Sequence, residues 1–206
     1  MMPAMAAIYR IETARTVIRC YDPADAPLLK AAVDANLDHL RPWMPWAQAE
    51  PTSLAAKVAL LRRFRGQFDL DEDYIYGIFS SDEGELLGGT GLHTRVGDRA
   101  REIGYWIAAK HEGQGLVTEV VSALAKTGFT HEDLVRIEIR CDPANVRSAA
   151  VPRRLGFVHE ATLRDRVIGG AVRDQMVWTL FRDAYASGPL PAFPIRCFDA
   201  CGAQLP

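Results

Sequence analysis

The sequence has no excess of charge of either sign: 24 Lys and Arg face 26 Asp and Glu, for a net charge of −2 at pH 7. Without a basic surplus, the composition gives no reason to expect a nucleic-acid partner. No uncharged apolar stretch approaches the roughly 18 residues that a membrane helix needs. Residues 1–7 also lack the basic segment and apolar run of a signal peptide. We therefore expect a cytoplasmic protein that does not bind membranes.

Cysteine is scarce as well, with four in 206 residues, too few and too scattered for a disulfide framework. Cys20 and Cys141 lie in strand-like patterns and are expected in the core. Cys197 and Cys201 stand near the C-terminus with no neighbouring His or Cys to complete a ligand set. The sequence therefore predicts no metal site.

Length and composition fit one globular domain. Hydrophobic residues make up 49% of the chain and charged residues 24%, the proportions of a soluble globular protein with an ample core. We predict a single domain over residues 1–187. Residues 188–206 contain Pro189, Pro191 and Pro194, so we expect a tail without regular structure, lying on the surface or on a partner subunit. Whether the chain forms a homodimer stays open.

The middle of the chain predicts a strand, a glycine turn and a helix. Residues 101–107 mix β-branched, aromatic and apolar side chains, as strands do. From Leu116 onward, apolar residues recur at helical spacing. Gly113 and Gly115 separate the two segments. A helix entered through glycines exposes backbone N–H groups and a partial positive charge, which together suit a phosphate.

Two common phosphate motifs do not fit this turn. A nucleotide P-loop requires Lys and then Ser or Thr after its last glycine, where this chain has Leu116 and Val117. The dinucleotide fingerprint requires a glycine at Thr118 and belongs to the first βα unit of a domain. A helix entry that binds nothing remains an alternative on the local pattern alone.

Five short motifs follow one another in order: Glu102–Trp106, Glu112–Val117, Thr118-Glu119, Asn145–Ser148 and Leu155–Phe157. In this order they resemble the GNAT N-acetyltransferases, and within them the RimJ/RimL-type branch of ribosomal-protein N-terminal acetyltransferases. The resemblance covers nearly the whole chain, residues 10–185. Two positions depart from the family pattern: Glu112 stands where Gln or Arg is usual, and Val117 where Gly or Ala is usual.

The resemblance implies an α/β (α+β) fold with a mixed, mostly antiparallel central sheet, splayed in the middle, and helices on both faces. It implies acetyl-CoA as co-substrate, an amine acceptor and direct attack, with no metal and no covalent enzyme intermediate. The coenzyme-binding positions that it implies are the strand end Ile107, Ala108 and Ala109, the turn residues Gly113, Gln114, Gly115, Val117 and Thr118, and Asn145.

Amine acetylation needs a base that frees the amine. Glu102 is the first candidate, because a carboxylate among apolar strand residues would be partly desolvated. An ion pair with Arg101 or with a neighbouring strand is the structural alternative. Val167 stands where the RimL-type enzymes carry a carboxylate, which leaves His93 or a water relay open as well.

The departing thiolate needs an acid, and Ser148 is the first candidate. It lies three residues after Asn145, on the same side of the first helical turn. Pro152 lacks the N–H that would pair with the carbonyl of Ser148, so the helix is expected to loosen there. Tyr105 is a second candidate acid. Asn145 is expected to cap the helix and also to contact the pantetheine amide.

The acceptor side is less defined. Trp43 and Trp46 lie in a proline-rich connector that either caps the core or, as the resemblance implies, forms a wall of the acceptor site. With His93 they are our candidate substrate-binding residues. A protein N-terminus, an antibiotic or nucleotide-linked amine, and a polyamine all remain open as acceptors. Two other functions also remain: a non-catalytic acyl-CoA-binding or partner-binding module, and transfer from a larger donor such as succinyl-CoA.

Overall fold

The computed structural model describes residues 7–206; residues 1–6, part of the segment predicted to lack a signal peptide, lie outside them. Within the described part, ten strands form one sheet in the order β10-β9-β1-β2-β3-β4-β5-β6-β8-β7. The strands are β1 Arg10–Glu12, β2 Thr16–Cys20, β3 Tyr74–Ser80, β4 Leu86–His93, β5 Ala100–Ile107, β6 Arg136–Cys141, β7 Val158–Ile168, β8 Ala171–Phe181, β9 Arg196–Phe198 and β10 Gln204–Leu205.

Helices cover both faces of this sheet. They are α1 Ala26–Asp34, α2 Leu37–Leu40, α3 Leu54–Asp69, α4 Leu116–His131, α5 Val146–Arg154 and α6 Arg182–Ser187. One apolar core forms beneath α4 and α5 and includes Leu124 and Ile137. A second core forms beneath α1 and α3 and includes Leu61 and Phe79. No helix among residues 7–206 combines the length and the apolar character that crossing a bilayer requires.

The sheet opens between β5 and β6, the one parallel pair among the described strands. These two strands pair only from Ala100 to Glu102 on β5 and from Arg136 to Glu138 on β6. Beyond that point β5 pairs with β4 alone as far as Ile107, while β6 continues along β8 to Cys141. The predicted mixed and mostly antiparallel sheet, splayed at its centre, is therefore confirmed.

Glycines in β4 allow close backbone contact beside the opening. A Cβ at Gly88 would lie 2.2 Å from the carbonyl oxygen of Trp106, so only glycine fits there. The register between β3 and β4 shifts at Ile78 and Phe79, opposite this segment. Glycines inside a strand favour bulges and close backbone contact, and β4 has both.

The C-terminal segment departs from the prediction. The expectation of no regular element beyond Gly188 is wrong for two short stretches, because β9 pairs with β1 and β10 pairs with β9. Cys197, which lies in β9, is buried against the core, as are Cys20 and Cys141, whereas Cys201 is exposed. Such short strands form through long-range pairing, which leaves almost no local pattern in the sequence.

Candidate active site

The glycine turn forms a row of free backbone donors. Gly113 and Gly115 both adopt positive φ angles, +72° and +78°, and Gly115 is the N-cap of α4. Within the described residues, the N–H groups of Gly113, Gln114 and Gly115 donate to no backbone or side-chain acceptor. The first N–H groups of α4 have no intrahelical partner either. We call residues 113–118 the phosphate loop, because such a row suits an anion.

An ion pair between the buried carboxylate of Glu119 and the half-exposed Arg15 ties the phosphate loop to the turn between β1 and β2. The side chain of Glu119, in the first turn of α4, accepts hydrogen bonds from Thr13 Oγ1 at 2.6 Å and from Arg15 Nε at 2.6 Å. Arg15 Nη1 also donates to the carbonyl oxygen of Gln114 at 2.9 Å. Arg15 therefore fixes the shape of the loop and adds a positive charge beside it. Arg15 is not among the sequence-predicted site residues, because it lies about a hundred residues away in the chain.

A cleft of about 880 Å³ runs from the phosphate loop to the opening between β5 and β6. The side chains and backbone that line it come from α2, the end of β5, the phosphate loop and α5. They include His39, Trp43, Tyr105, Trp106, Ile107, Gly113, Gly115, Val117, Thr118, Asn145, Arg147 and Ser148. Most of the sequence-predicted site residues therefore meet in one place. The predicted residues that do not line the cleft are Trp46, His93, Glu102, Ala108, Ala109 and Gln114.

Ser148 and Tyr105 form a hydrogen-bonded pair in this cleft. Ser148 Oγ donates to Tyr105 Oη at 3.1 Å, and Tyr105 Oη donates to the backbone carbonyl of Ser148 at 2.9 Å. This carbonyl is the one that Pro152 cannot serve, so the phenol replaces the missing helical N–H. Burial raises the pKa of Tyr105, although its hydrogen bond with Ser148 opposes the shift. The phenol therefore keeps its proton at neutral pH.

Asn145 holds the start of the helix that carries Ser148. Its side-chain oxygen accepts from the N–H of Ser148 at 3.1 Å, so Asn145 is the N-cap of α5, as predicted. Its predicted contact with pantetheine stays a prediction. The cap fixes the first turn of α5, and with it the position of Ser148 opposite Tyr105.

Two of the predicted backbone contacts at the end of β5 are already occupied. The N–H of Ala108 donates to the carbonyl of Leu87 at 2.8 Å, and the N–H of Ala109 donates to Asn36 Oδ1 at 2.8 Å. Neither N–H is free for a ligand in this conformation, because the chain turns back onto β4 and onto the residue that precedes α2. The carbonyl oxygen of Ile107 lies in the cleft, 3.2 Å from His39 Nε2.

Glu102 lies outside the cleft lining and is bound by arginines. Its carboxylate accepts from Arg95 Nε at 3.0 Å and from Arg95 Nη2 at 2.5 Å, and Arg140 Nε lies 3.8 Å away. This arrangement matches the structural alternative of an ion pair, although its partners are Arg95 and Arg140 rather than Arg101. As a base, Glu102 stays a prediction, and its surroundings do not favour it.

The two tryptophans of the connector lie at and beside the cleft. Trp43 lines the cleft, and Trp46 packs edge-on against Trp106 with ring centroids 6.0 Å apart. The connector touches the hairpin of β7 and β8, because a Cβ at Gly169 would lie 2.4 Å from Pro45 Cβ. Both tryptophans remain partly exposed, at 36% and 42%. Their surroundings thus combine a structural contact with a surface that is open to a substrate.

Glu112 forms an ion pair across the cleft mouth with Arg147, at the start of α5. His39 Nε2 lies 3.6 Å from the other oxygen of the same carboxylate. Arg147 is 75% exposed, and exposed ion pairs contribute only about 0–1 kcal/mol. Arg147 can therefore leave Glu112 for a bound phosphate at little cost. The unusual Glu112 thus competes with a ligand for this cation.

Replacing Glu112 by Gln should tighten the binding of acetyl-CoA by about 3- to 10-fold. The change removes a like charge beside the phosphate loop and frees Arg147, and about 1 kcal/mol of repulsion in solvent corresponds to this range. Calorimetric titration of acetyl-CoA gives the Kd. Glu72→Gln, at an exposed position outside the cleft, is the matched control and should leave the Kd unchanged. Weaker binding by Glu112→Gln would mean that the carboxylate supports the loop instead.

A splayed sheet whose opening faces a glycine-capped helix defines the acyl-CoA N-acyltransferase class of fold. Residues 15–158 match the family described as acetyltransferase (GNAT) domain, and the chain therefore belongs to the GNAT acetyltransferases. Within residues 7–206, no group of three or more His, Cys, Asp or Glu side chains is arranged to hold a metal ion.

Relatives with related names extend along most of the chain. It is 29% identical over 172 residues to YdaF of Bacillus subtilis, provisionally named a ribosomal N-acetyltransferase, covering 80% of this chain and 90% of that one. It is 28% identical over 185 residues to the ribosomal protein uS5-alanine N-acetyltransferase of Escherichia coli, covering 87% and 94%. The structure of RimL, a ribosomal L7/L12 alpha-N-protein acetyltransferase in complex with coenzyme A, superposes with a TM-score of 0.75 at 24% identity, covering 84% and 97%.

These similarities confirm the predicted resemblance to the RimJ/RimL-type branch and the predicted enzyme class, an N-acetyltransferase. The five motifs that predicted it now have structural roles. In chain order, they supply the strand at the opening, the phosphate loop, the Glu119 carboxylate that binds Arg15, the N-cap of α5 before Ser148, and the turn that follows α5.

Proposed function

We propose that this chain transfers the acetyl group of acetyl-CoA to the α-amino group of a protein N-terminus. The observation that carries the proposal is the cleft itself, which joins a row of free N–H donors to the separated edges of β5 and β6. The names of the relatives support a ribosomal protein as the source of that N-terminus. Val167, at the position where the RimL-type enzymes carry a carboxylate, is exposed on β7.

The residues present fit a coenzyme A thioester. The phosphate loop offers backbone N–H groups to a diphosphate, and no atom lies within 4 Å of the place where a Cβ at Gly113 would stand. Arg15 and Arg147 add positive charge on the two sides of the loop. When bound, the coenzyme supplies an acetyl group activated as a thioester. This chain contributes the groups that orient it and that move protons.

Ser148 and Tyr105 are placed to return a proton to the departing sulfur. Their hydroxyl groups form one hydrogen-bonded pair, so a proton given up by one can be replaced by the other. The edge of β5 beyond Glu102, which pairs with no strand on the side of β6, offers backbone donors toward the reacting carbonyl. The walls formed by Trp43 and Trp46 hold the acceptor.

Release of free thiol from acetyl-CoA tests this function across a panel of acceptors. The panel contains peptides that begin with Ala, Ser or Thr, the same peptides with blocked N-termini, and free polyamines. We expect turnover with free N-termini only, and mass spectrometry should find a single acetyl group at the α-amine. Turnover with polyamines alone would mean that the acceptor is a polyamine and not a protein N-terminus. No turnover with any amine would favour a non-catalytic acyl-CoA-binding module. Succinyl-CoA in place of acetyl-CoA tests the larger donor.

A further inference from the structure

Three rows of facing residues lie on the face of β4 and β5 that carries Trp106. In antiparallel strands, facing residues point to the same side of the sheet, and successive rows on one side are about 7 Å apart. Trp106 lines the cleft, so this face continues from the cleft along the sheet. The rows are His93 with Glu102, Gly91 with Gly104, and Gly89 with Trp106.

The imidazole of His93 leans over the middle row, toward Trp106. A Cβ at Gly91 would lie 2.8 Å from His93 Nε2, and a Cβ at Gly104 would lie 3.3 Å from the same atom. The two glycines therefore make room for the ring. Nε2 has no hydrogen-bond partner within residues 7–206, and it is not among the buried unpaired polar atoms of that part of the chain. This nitrogen is thus free and accessible to solvent.

Asp73 fixes the other nitrogen of the ring. Both carboxylate oxygens lie close to His93 Nδ1, at 2.9 Å and 3.1 Å, and one of them also accepts from the N–H of Thr94 at 3.3 Å. Burial tends to raise the pKa of Asp73, but the hydrogen bond from His93 and the other favourable contacts outweigh it and lower the pKa. Since a carboxylate only accepts, Nδ1 carries a hydrogen, and in the neutral imidazole Nε2 therefore presents its lone pair.

We propose that His93, oriented by Asp73, is the base that receives the proton of the acceptor ammonium group. The inference rests on the proposed function and adds a residue role to it. Glu102 faces His93 in the same row, but its carboxylate is committed to Arg95 and Arg140, whereas His93 Nε2 is uncommitted and leans toward the row of Trp106. The charged groups around His93 are Asp73, Arg95 and Glu102.

The proton step balances without any further reactant. The N–H bond of the acceptor ammonium breaks, and its proton moves to His93 Nε2, while the electron pair stays on the amine nitrogen. The resulting imidazolium is stabilised by the carboxylate of Asp73 and returns its proton to solvent after the transfer. Asp73 is a positioning residue, since it acts through the imidazole.

The test compares His93→Ala, His93→Gln and Asp73→Asn with the wild type, using the best peptide acceptor. We expect both His93 variants to lower kcat/KM at least about 10-fold, with the Kd for acetyl-CoA unchanged. Added imidazole should restore part of the activity of His93→Ala, and the restoration should increase with pH as more imidazole becomes neutral. Asp73→Asn should lower kcat/KM less than the His93 variants do, with the Kd for acetyl-CoA unchanged, because an amide still reaches the imidazole but no longer faces it with a negative charge.

His131→Ala, at the end of α4 and outside the cleft lining, is the control and should keep wild-type kinetics. Glu102→Gln is measured in parallel. The assignment of His93 is overturned if His93→Gln folds and keeps the wild-type kcat/KM, or if Glu102→Gln alone lowers kcat/KM as far as the His93 variants are expected to. A wild-type enzyme that acetylates no amine contradicts the proposed function instead, so the two failures are distinguishable.

Discussion

Gly115→Val is expected to weaken the binding of acetyl-CoA at least about 100-fold, close to 2.7 kcal/mol. Gly115 has a φ of +78°, a conformation that costs an ordinary residue about 1–2 kcal/mol and a β-branched residue more. Valine would therefore rotate this peptide out of the left-handed region. The N–H groups of Gly113, Gln114 and Gly115 would then no longer keep their present arrangement in the phosphate loop. Calorimetric titration with acetyl-CoA measures the loss.

The chain offers a matched control for this substitution. Gly97, in the connection between β4 and β5, has a φ of +101°, and no atom lies within 4 Å of the place that a Cβ there would occupy. Gly97→Val thus imposes a comparable backbone strain away from the cleft and should bind acetyl-CoA normally. Thermal unfolding of both variants separates lost stability from lost affinity. Normal binding by folded Gly115→Val would show that the anion site lies elsewhere.

Ser148→Ala is expected to lower kcat more than about 10-fold while the Kd for acetyl-CoA stays nearly the same, since acid–base groups commonly contribute about 10²- to 10⁴-fold. The substitution is structurally mild, because Tyr105 Oη donates to the backbone carbonyl of residue 148 and keeps that bond. The substitution removes only the Ser148 hydroxyl, which donates a hydrogen bond to Tyr105 Oη. Steady-state kinetics with a saturating peptide acceptor measure the change.

Tyr105→Phe sharpens the interpretation of that result. It removes the phenol and also leaves the carbonyl of Ser148 without the partner that replaces the absent N–H of Pro152. It should therefore lower both kcat and the melting temperature, whereas Ser148→Ala lowers kcat alone. Ser187→Ala, in α6, removes a helical serine hydroxyl outside the cleft and is the control. Unchanged turnover in Ser148→Ala would exclude this hydroxyl from the mechanism.

The parts of the site that could be predicted from the sequence are those encoded over a few consecutive residues. The change from strand to helical periodicity placed the phosphate loop at Gly113–Gly115. The missing N–H of Pro152 predicted that the carbonyl of Ser148 has no helical partner, and in the structure the hydroxyl of Tyr105 donates to that carbonyl. Each of these inferences needs only local backbone chemistry, which one sequence contains in full.

The parts that escaped prediction depend on contacts between distant segments. Arg15 and Glu119 meet only because β2 lies near the start of α4, and Asp73 meets His93 across the β3–β4 pair. The N–H groups of Ala108 and Ala109 look free in the sequence, but β4 and Asn36 occupy them. A buried carboxylate such as Glu102 signals that some cation binds it, without indicating which one.

The C-terminal extension also has a mechanical consequence for the coenzyme end of the enzyme. Arg196 of β9 lies opposite Glu12 of β1 and forms an ion pair with it. The residues that follow Glu12 form the turn in which Thr13 and Arg15 bind the carboxylate of Glu119. The last strands thus support the turn that holds Glu119 and, through it, the phosphate loop. Damage to the C-terminal end of the chain would therefore affect the site where the nucleotide binds.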